Sequence, residues 1–172
     1  MAELSEAMAY IIGHYPDHMS HELSNARLTK MVYLADWHYV LQTGGQMTDI
    51  KWYFDNFGPF VKDIETTAAQ REDLFSVDLG NNMYGQPKKT FSLKNEAYEP
   101  AISAEERNSL NHVIEVTKRL YWDGFIKLVY STHPIASSQR YTYLDLVQKA
   151  KEYKAVGASV AGAADPLVGV DG

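Results

Sequence analysis

Six histidines and a scatter of carboxylates are the residues of this chain that could do acid–base or metal chemistry. His14, His18 and His21 cluster in sequence, and two histidines four apart on a helix can share a metal ion. Pro16 stands between His14 and His18 and breaks that helical geometry, so the three read as surface or structural residues. His133, between Thr132 and Pro134, lies in a turn near a helix end. It could act as a general base with a carboxylate in a small hydrolase, or simply satisfy backbone groups. No G-x-S-x-G elbow exists to pair with it. His38 and His112 fall within helical stretches and read as boundary residues. Asp36, Asp49, Asp55, Asp63 and Glu65 give no reason to pick an acid–base pair. Phosphate-loop, dinucleotide and kinase signatures are absent. No catalytic, cofactor or metal-ligating residue is assigned, and a binding module is the better reading.

The elements that must position any site centre on the stretch from Arg27 to Ile64. Leu28, Met31, Val32, Ala35 and Tyr39 make one helical stripe, widened by Leu34, Trp37, His38 and Leu41. A helix apolar over so much of its circumference is expected at the centre of the fold, with Lys30 and Asp36 near its boundary. Ser24 or Asn25 can cap it and Gly44-Gly45 ends it. Lys51 to Phe54 reads as a short strand, Asp55-Asn56-Phe57-Gly58-Pro59 as a turn, and Phe60 to Ala69 as a helix with Pro59 at its first position. Leu74 to Leu93 reads as a β-hairpin that joins the 51–54 strand in one small antiparallel sheet. Around these lie a helix over 2–15, a helix from the capping box Ser103-Ala-Glu-Glu106 to about Tyr121, a short helix capped by Asp123, and a last helix over 142–154. The fold class expected is α+β: one mainly helical domain over residues 1–154, with a small antiparallel sheet of about three strands. Residues 155–172, rich in Ala, Gly and Val, read as a flexible tail.

Composition narrows the partners. The net charge of -6 disfavours direct contact with nucleic acid, which needs clustered cations, and suits a basic protein. There are no cysteines, no basic flank at the N-terminus and no apolar run long enough to span a bilayer, so a cytoplasmic protein without a membrane partner is expected. Tyrosine is unusually abundant at 12 copies and suits interfaces. The densest aromatic group is Trp52, Tyr53, Phe54, Phe57 and Phe60. Strand alternation must send some of these to the core and can leave others as anchors for a partner. The candidate partner-binding residues are Tyr53, Phe54, Asp55, Asn56 and Phe57, with Tyr84 in the hairpin loop.

Three features together carry a resemblance: Leu28, Lys30, Met31, Tyr33, Leu34, Ala35 and Asp36 on the central helix; the aromatic strand followed by Phe57-Gly58-Pro59-Phe60-Val61; and the late Thr132-His133 pair. In these the chain resembles the Panacea antitoxin domain, a SocA-like family found in phage-associated proteins, over roughly residues 5–150 in order of elements. The resemblance implies a non-enzymatic protein that neutralises a cognate toxin, encoded by the adjacent gene, by direct contact. An alternative it also implies is an adaptor that delivers the toxin to a protease or unfoldase. It implies a helical fold with a small sheet. It makes Lys30, Tyr33, Leu34, Asp36, Gly58, Pro59, Thr132 and His133 family-motif residues with structural roles. The late pair is often followed by tryptophan in this family, whereas here the chain reads PIASSQRYTYL.

Overall fold

The sequence from Ser24 to Gly44 builds the axis of the molecule. Ser24 Oγ accepts the Arg27 N–H at 3.1 Å, and Gly44, in the left-handed region at φ 88, closes the other end. Between these caps α2 (Asn25–Thr43) is buried over nearly its whole circumference. In this computed structural model, which describes residues 1–159, the other elements pack around it. They are α1 (Leu4–His14), a 3-10 helix (Asp17–Glu22), β1 (Tyr53–Asp55), β2 (Gly58–Phe60) and α3 (Asp63–Gln70). There follow β3 (Phe75–Asn81), β4 (Pro87–Leu93), α4 (Ala104–Thr117), α5 (Trp122–Ser131), α6 (His133–Ala136) and α7 (Leu146–Ser159). Met8 and Ile11 of α1, Leu110 and Val113 of α4, Phe125 and Val129 of α5, and Leu146 of α7 meet α2 in one core.

The fold is α+β and mainly helical, as the sequence indicates, but the strands are arranged otherwise. There are two separate antiparallel hairpins, β1–β2 and β3–β4, rather than one sheet. Phe60 and Pro59 do not begin a helix. Pro59 pairs with Phe54 across the first hairpin, and α3 starts at Asp63. Proline is tolerated there because β2 pairs only with β1, so its missing N–H interrupts no second ladder. The capping box forms as the residues require: Ser103 Oγ accepts from Glu106 N–H and Glu106 Oε1 accepts from Ser103 N–H. Asp123 does not cap α5; Tyr121 stands at that position. The last helix begins at Leu146, not 142, and runs through Ser159, past the start of the expected tail; residues 160–172 lie outside the described residues.

One buried cation stitches the helices together. Arg27 Nη2 donates to the Tyr15 hydroxyl at 2.6 Å and to the carbonyls of Thr117 and Leu120 at 2.9 and 2.7 Å. These carbonyls close the C-terminal end of α4, where backbone acceptors are exposed and a cation is favoured. The guanidinium also lies 4.4 Å from the Phe125 ring centroid, which ties α2 to α5.

Candidate partner-binding site

The first hairpin reverses at Asn56 and Phe57, with Asp55 paired to Gly58. Neither turn residue has positive φ; the left-handed conformation falls on Gly58, at φ 102. A glycine just after the turn is a common way to close a short hairpin. Gly58 also sits close to two side chains. A Cβ there would lie 3.5 Å from the Tyr130 ring and 3.6 Å from Lys30 Cε.

Strand alternation sorts the expected contact residues. Tyr53 and Asp55 are half-buried, Asn56 is exposed, and Phe57 is 79% exposed. Phe54 does not belong with them. Its ring points into the core, edge-on to Tyr130 at 6.3 Å, and it is 4% exposed, because the middle residue of a three-residue strand takes the opposite face. Tyr84 is 82% exposed but sits on the β3–β4 loop, which shares no ladder with the first hairpin.

The structure adds residues that the sequence reading missed. Residues 141–144 run alongside β1 on the side away from β2. Phe54 N–H donates to the Thr142 carbonyl at 2.9 Å, Leu144 N–H donates to the Trp52 carbonyl at 2.8 Å, and Tyr141 N–H donates to the Phe54 carbonyl. Tyr143 bridges to Tyr53, and their rings meet edge to face at 5.0 Å. Arg140 Nε donates to the Asn56 carbonyl at 3.2 Å and its guanidinium covers the Phe54 ring at 5.6 Å. The Tyr141 hydroxyl donates to Asn56 Oδ1. Tyr141 holds φ 69, a left-handed conformation uncommon for tyrosine. Tyr143 and Tyr141 are 72% and 59% exposed. The alternation Tyr141-Thr142-Tyr143, all good strand formers, was the available signal.

Beneath this surface lie the motif residues. Lys30 and Asp36 are not at the helix boundary; they are 3% and 0% exposed. Burial pushes the Lys30 ammonium down to about 8, and Asp55 of the hairpin partly opposes it. Asp36 is the seat of the loop that leads into β1. Its carboxylate accepts from Trp52 Nε1 at 2.8 Å, from Thr48 N–H at 2.9 Å, from the Thr48 hydroxyl at 2.6 Å and from Gln46 Nε2 at 3.1 Å. Burial pushes its carboxyl up to about 6, against the pull of these donors. The Tyr33 hydroxyl meets Thr132 Oγ1 at 2.8 Å, and Thr132 Oγ1 donates to the Val129 carbonyl at 2.7 Å. That pair joins α2 to the end of α5; Leu34, the next residue of α2, is fully buried. His133 opens α6 between the rings of Trp37, at 6.4 Å, and Tyr153, at 5.4 Å, with Glu152 3.7 Å from Nε2. His38 is buried too, stacked on His112 at 4.4 Å with Ser109 Oγ 2.8 Å from Nδ1.

No helix among the described residues is long and apolar enough to cross a membrane. No curated protein and no solved structure matches the chain. A family model does: that of the SocA-like antitoxin, Panacea domain, over residues 28–134. The match opens at Leu28 on α2 and closes at Pro134, so it contains both hairpins and every motif residue described above, and it leaves Tyr141 and Tyr143 outside. With that span covering most of its length, the chain belongs to the SocA-like, Panacea-domain antitoxin family.

Proposed function

We propose that this protein neutralises a cognate protein toxin, the product of the adjacent gene, by direct contact through the aromatic tip of the first hairpin. The observation that carries the reading is the set of exposed rings on Phe57, Tyr141 and Tyr143, mounted on backbone that is hydrogen-bonded on both sides of β1. Aromatic anchors on a pre-formed surface gain contact area with little ordering cost. Tyr53, Asp55 and Asn56 supply the polar rim, and the net charge of -6 favours a basic partner. Family membership supports binding rather than catalysis.

The test is co-expression with the neighbouring gene's product, scored by growth and co-purification. Restored growth with a stable complex is the expected result. In that complex Phe57→Ala combined with Tyr143→Ala should weaken binding by roughly a hundredfold or more, as loss of two central anchors does. An undiminished affinity in the double variant would move the contact face elsewhere. Restored growth with disappearance of the toxin and no complex would replace occlusion by delivery to a protease.

A further inference from the structure

Asn56 stands at the tip of the first hairpin, where polar groups ordinarily face water. Three of its polar groups are instead held by the protein. Its N–H donates to Asp55 Oδ1 at 2.9 Å, its carbonyl accepts from Arg140 Nε at 3.2 Å, and its Oδ1 accepts from the Tyr141 hydroxyl. Arg140 and Tyr141 reach it from 84 and 85 residues further along the chain. Both lie beyond the residues 28–134 matched by the family model. The next residue is Phe57, whose ring is 79% exposed. Packing cannot aim a ring so exposed; the backbone of the turn must do it.

Tyr141 makes its contact at a cost. Its backbone lies in the left-handed region at φ 69, which crowds any side chain larger than that of Asn or Asp. Among the described residues it is the only non-glycine with positive φ. Glycine would adopt that φ with less strain and still donate the main-chain bond to the Phe54 carbonyl. The ladder therefore does not call for tyrosine, and neither does burial, since the ring is 59% exposed. Tyrosine brings two things that glycine lacks: an exposed ring, and a hydroxyl set on Asn56. Arg140 completes the arrangement from a fixed base, with its guanidinium over the Phe54 ring at 5.6 Å.

We propose that Tyr141 and Arg140 are positioning residues for Phe57: they grip Asn56 by its side-chain and main-chain oxygens and fix the direction in which the neighbouring ring meets the partner. The inference rests on the reading of the hairpin tip as the toxin-contacting face. One hydrogen bond at an exposed position competes with water and holds a turn weakly. Two donors on one residue, one of them a cation, restrain its carbonyl and its side chain together. A ring already held in its bound orientation loses less freedom on association, and affinity rises accordingly.

The first arm of the test uses the isotope-labelled chain alone. Backbone order parameters of about 0.85 are expected at Asn56 and Phe57. Tyr141→Phe keeps the ring and loses the hydroxyl; Arg140→Met keeps an apolar cover on Phe54 and loses the donor. Together they should lower both order parameters to about 0.6 or less, while Tyr53 and Phe54 keep theirs. Tyr141→Gly should loosen the same two residues yet leave the urea midpoint unchanged or higher. The second arm uses the complex with the neighbouring gene's product. There the Tyr141→Phe, Arg140→Met chain should bind roughly tenfold more weakly, and the same pair should cost about twofold or less once Phe57→Ala is present, because both act through that ring. Unchanged order at Asn56 and Phe57 would overturn the proposal and leave the binding reading standing. A tenfold loss that persists beside Phe57→Ala would overturn it by making Tyr141 and Arg140 direct contacts. A clearly lower midpoint for Tyr141→Gly would overturn it by assigning the left-handed tyrosine to the fold. Full affinity in the Phe57→Ala, Tyr143→Ala chain would remove the tip as the contact face, and the positioning role with it.

Discussion

β1–β2 and β3–β4 are both antiparallel hairpins, yet they are held in opposite ways. The first has three-residue strands, too short to persist unaided. It is fixed from below by Lys30 and Tyr130 against Gly58, from behind by Trp52 on Asp36, and from the side by residues 141–144. The second has seven-residue strands and is anchored at its root, where Phe75 and Phe91 enter the core; from Val77 to Asn81 β3 is exposed. Strand length therefore does not decide which hairpin has more contacts to the rest of the fold. The first hairpin is held from several sides, whereas the second is held chiefly at its root.

The largest blow to this contrast should come from Asp36→Ala. The substitution leaves the Trp52 indole N–H and the Thr48 donors buried without an acceptor, and the expected loss is about 3–5 kcal/mol by urea denaturation. A loss under about 1 kcal/mol would mean that the first hairpin is seated without Asp36.

The same carboxyl makes stability depend on pH. Burial lifts it from 3.8 to about 6, so the folded state binds its proton more tightly than the unfolded state does. Its contribution is greatest below pH 4 and declines as pH rises to 6, by on the order of 2–3 kcal/mol. His38 acts with the opposite sign. Burial, assisted by His112, lowers it from 6.5 to about 4, so stability is lost as pH falls through that window. The two slopes oppose each other between pH 4 and 6. His38→Gln should remove one of them, and denaturation midpoints should then rise on acidification more steeply than in the unaltered chain.

A smaller effect is expected at Gly58. Alanine there must hold φ 102, and its Cβ meets Tyr130 and Lys30 only at ordinary contact distance. Strain dominates, for a loss of about 1–2 kcal/mol. The smallest belongs to the second hairpin: Leu79→Ser should change stability by less than about 0.5 kcal/mol. A larger loss would show the outer part of β3 to be packed, and would erase the contrast between the hairpins.

The sequence disclosed those features whose causes are local. The period of α2, the Ser103–Glu106 box and the alternation of β3 and β4 each depend on near neighbours, and each forms. The polar interior was hidden for the converse reason. Asp36 looks like a boundary residue until Thr48 and Trp52 come round to it, and His38 until Ser109 and His112 do. Pro59 reads as a helix start because proline suits the first helical position; only its pairing with Phe54 makes it a strand residue. For the candidate site, Phe57 was legible as a turn aromatic. Tyr143 was masked because the last helix was read from 142, and the partners of Tyr141 and Tyr143 in β1 lie far back in sequence.

The ladder between β1 and residues 141–144 runs through main-chain atoms, which are the same whatever side chains they carry. Positions 141 and 143 can thus change without breaking that ladder, whereas Arg140 also covers the buried Phe54 ring and donates to the Asn56 carbonyl. Position 141 restricts the choice through its backbone, since its φ of 69 is met most readily by glycine, asparagine or aspartate. The segment also lies beyond the matched family stretch. The side chains of 141 and 143 are thus the part of this face that the backbone ladder does not dictate.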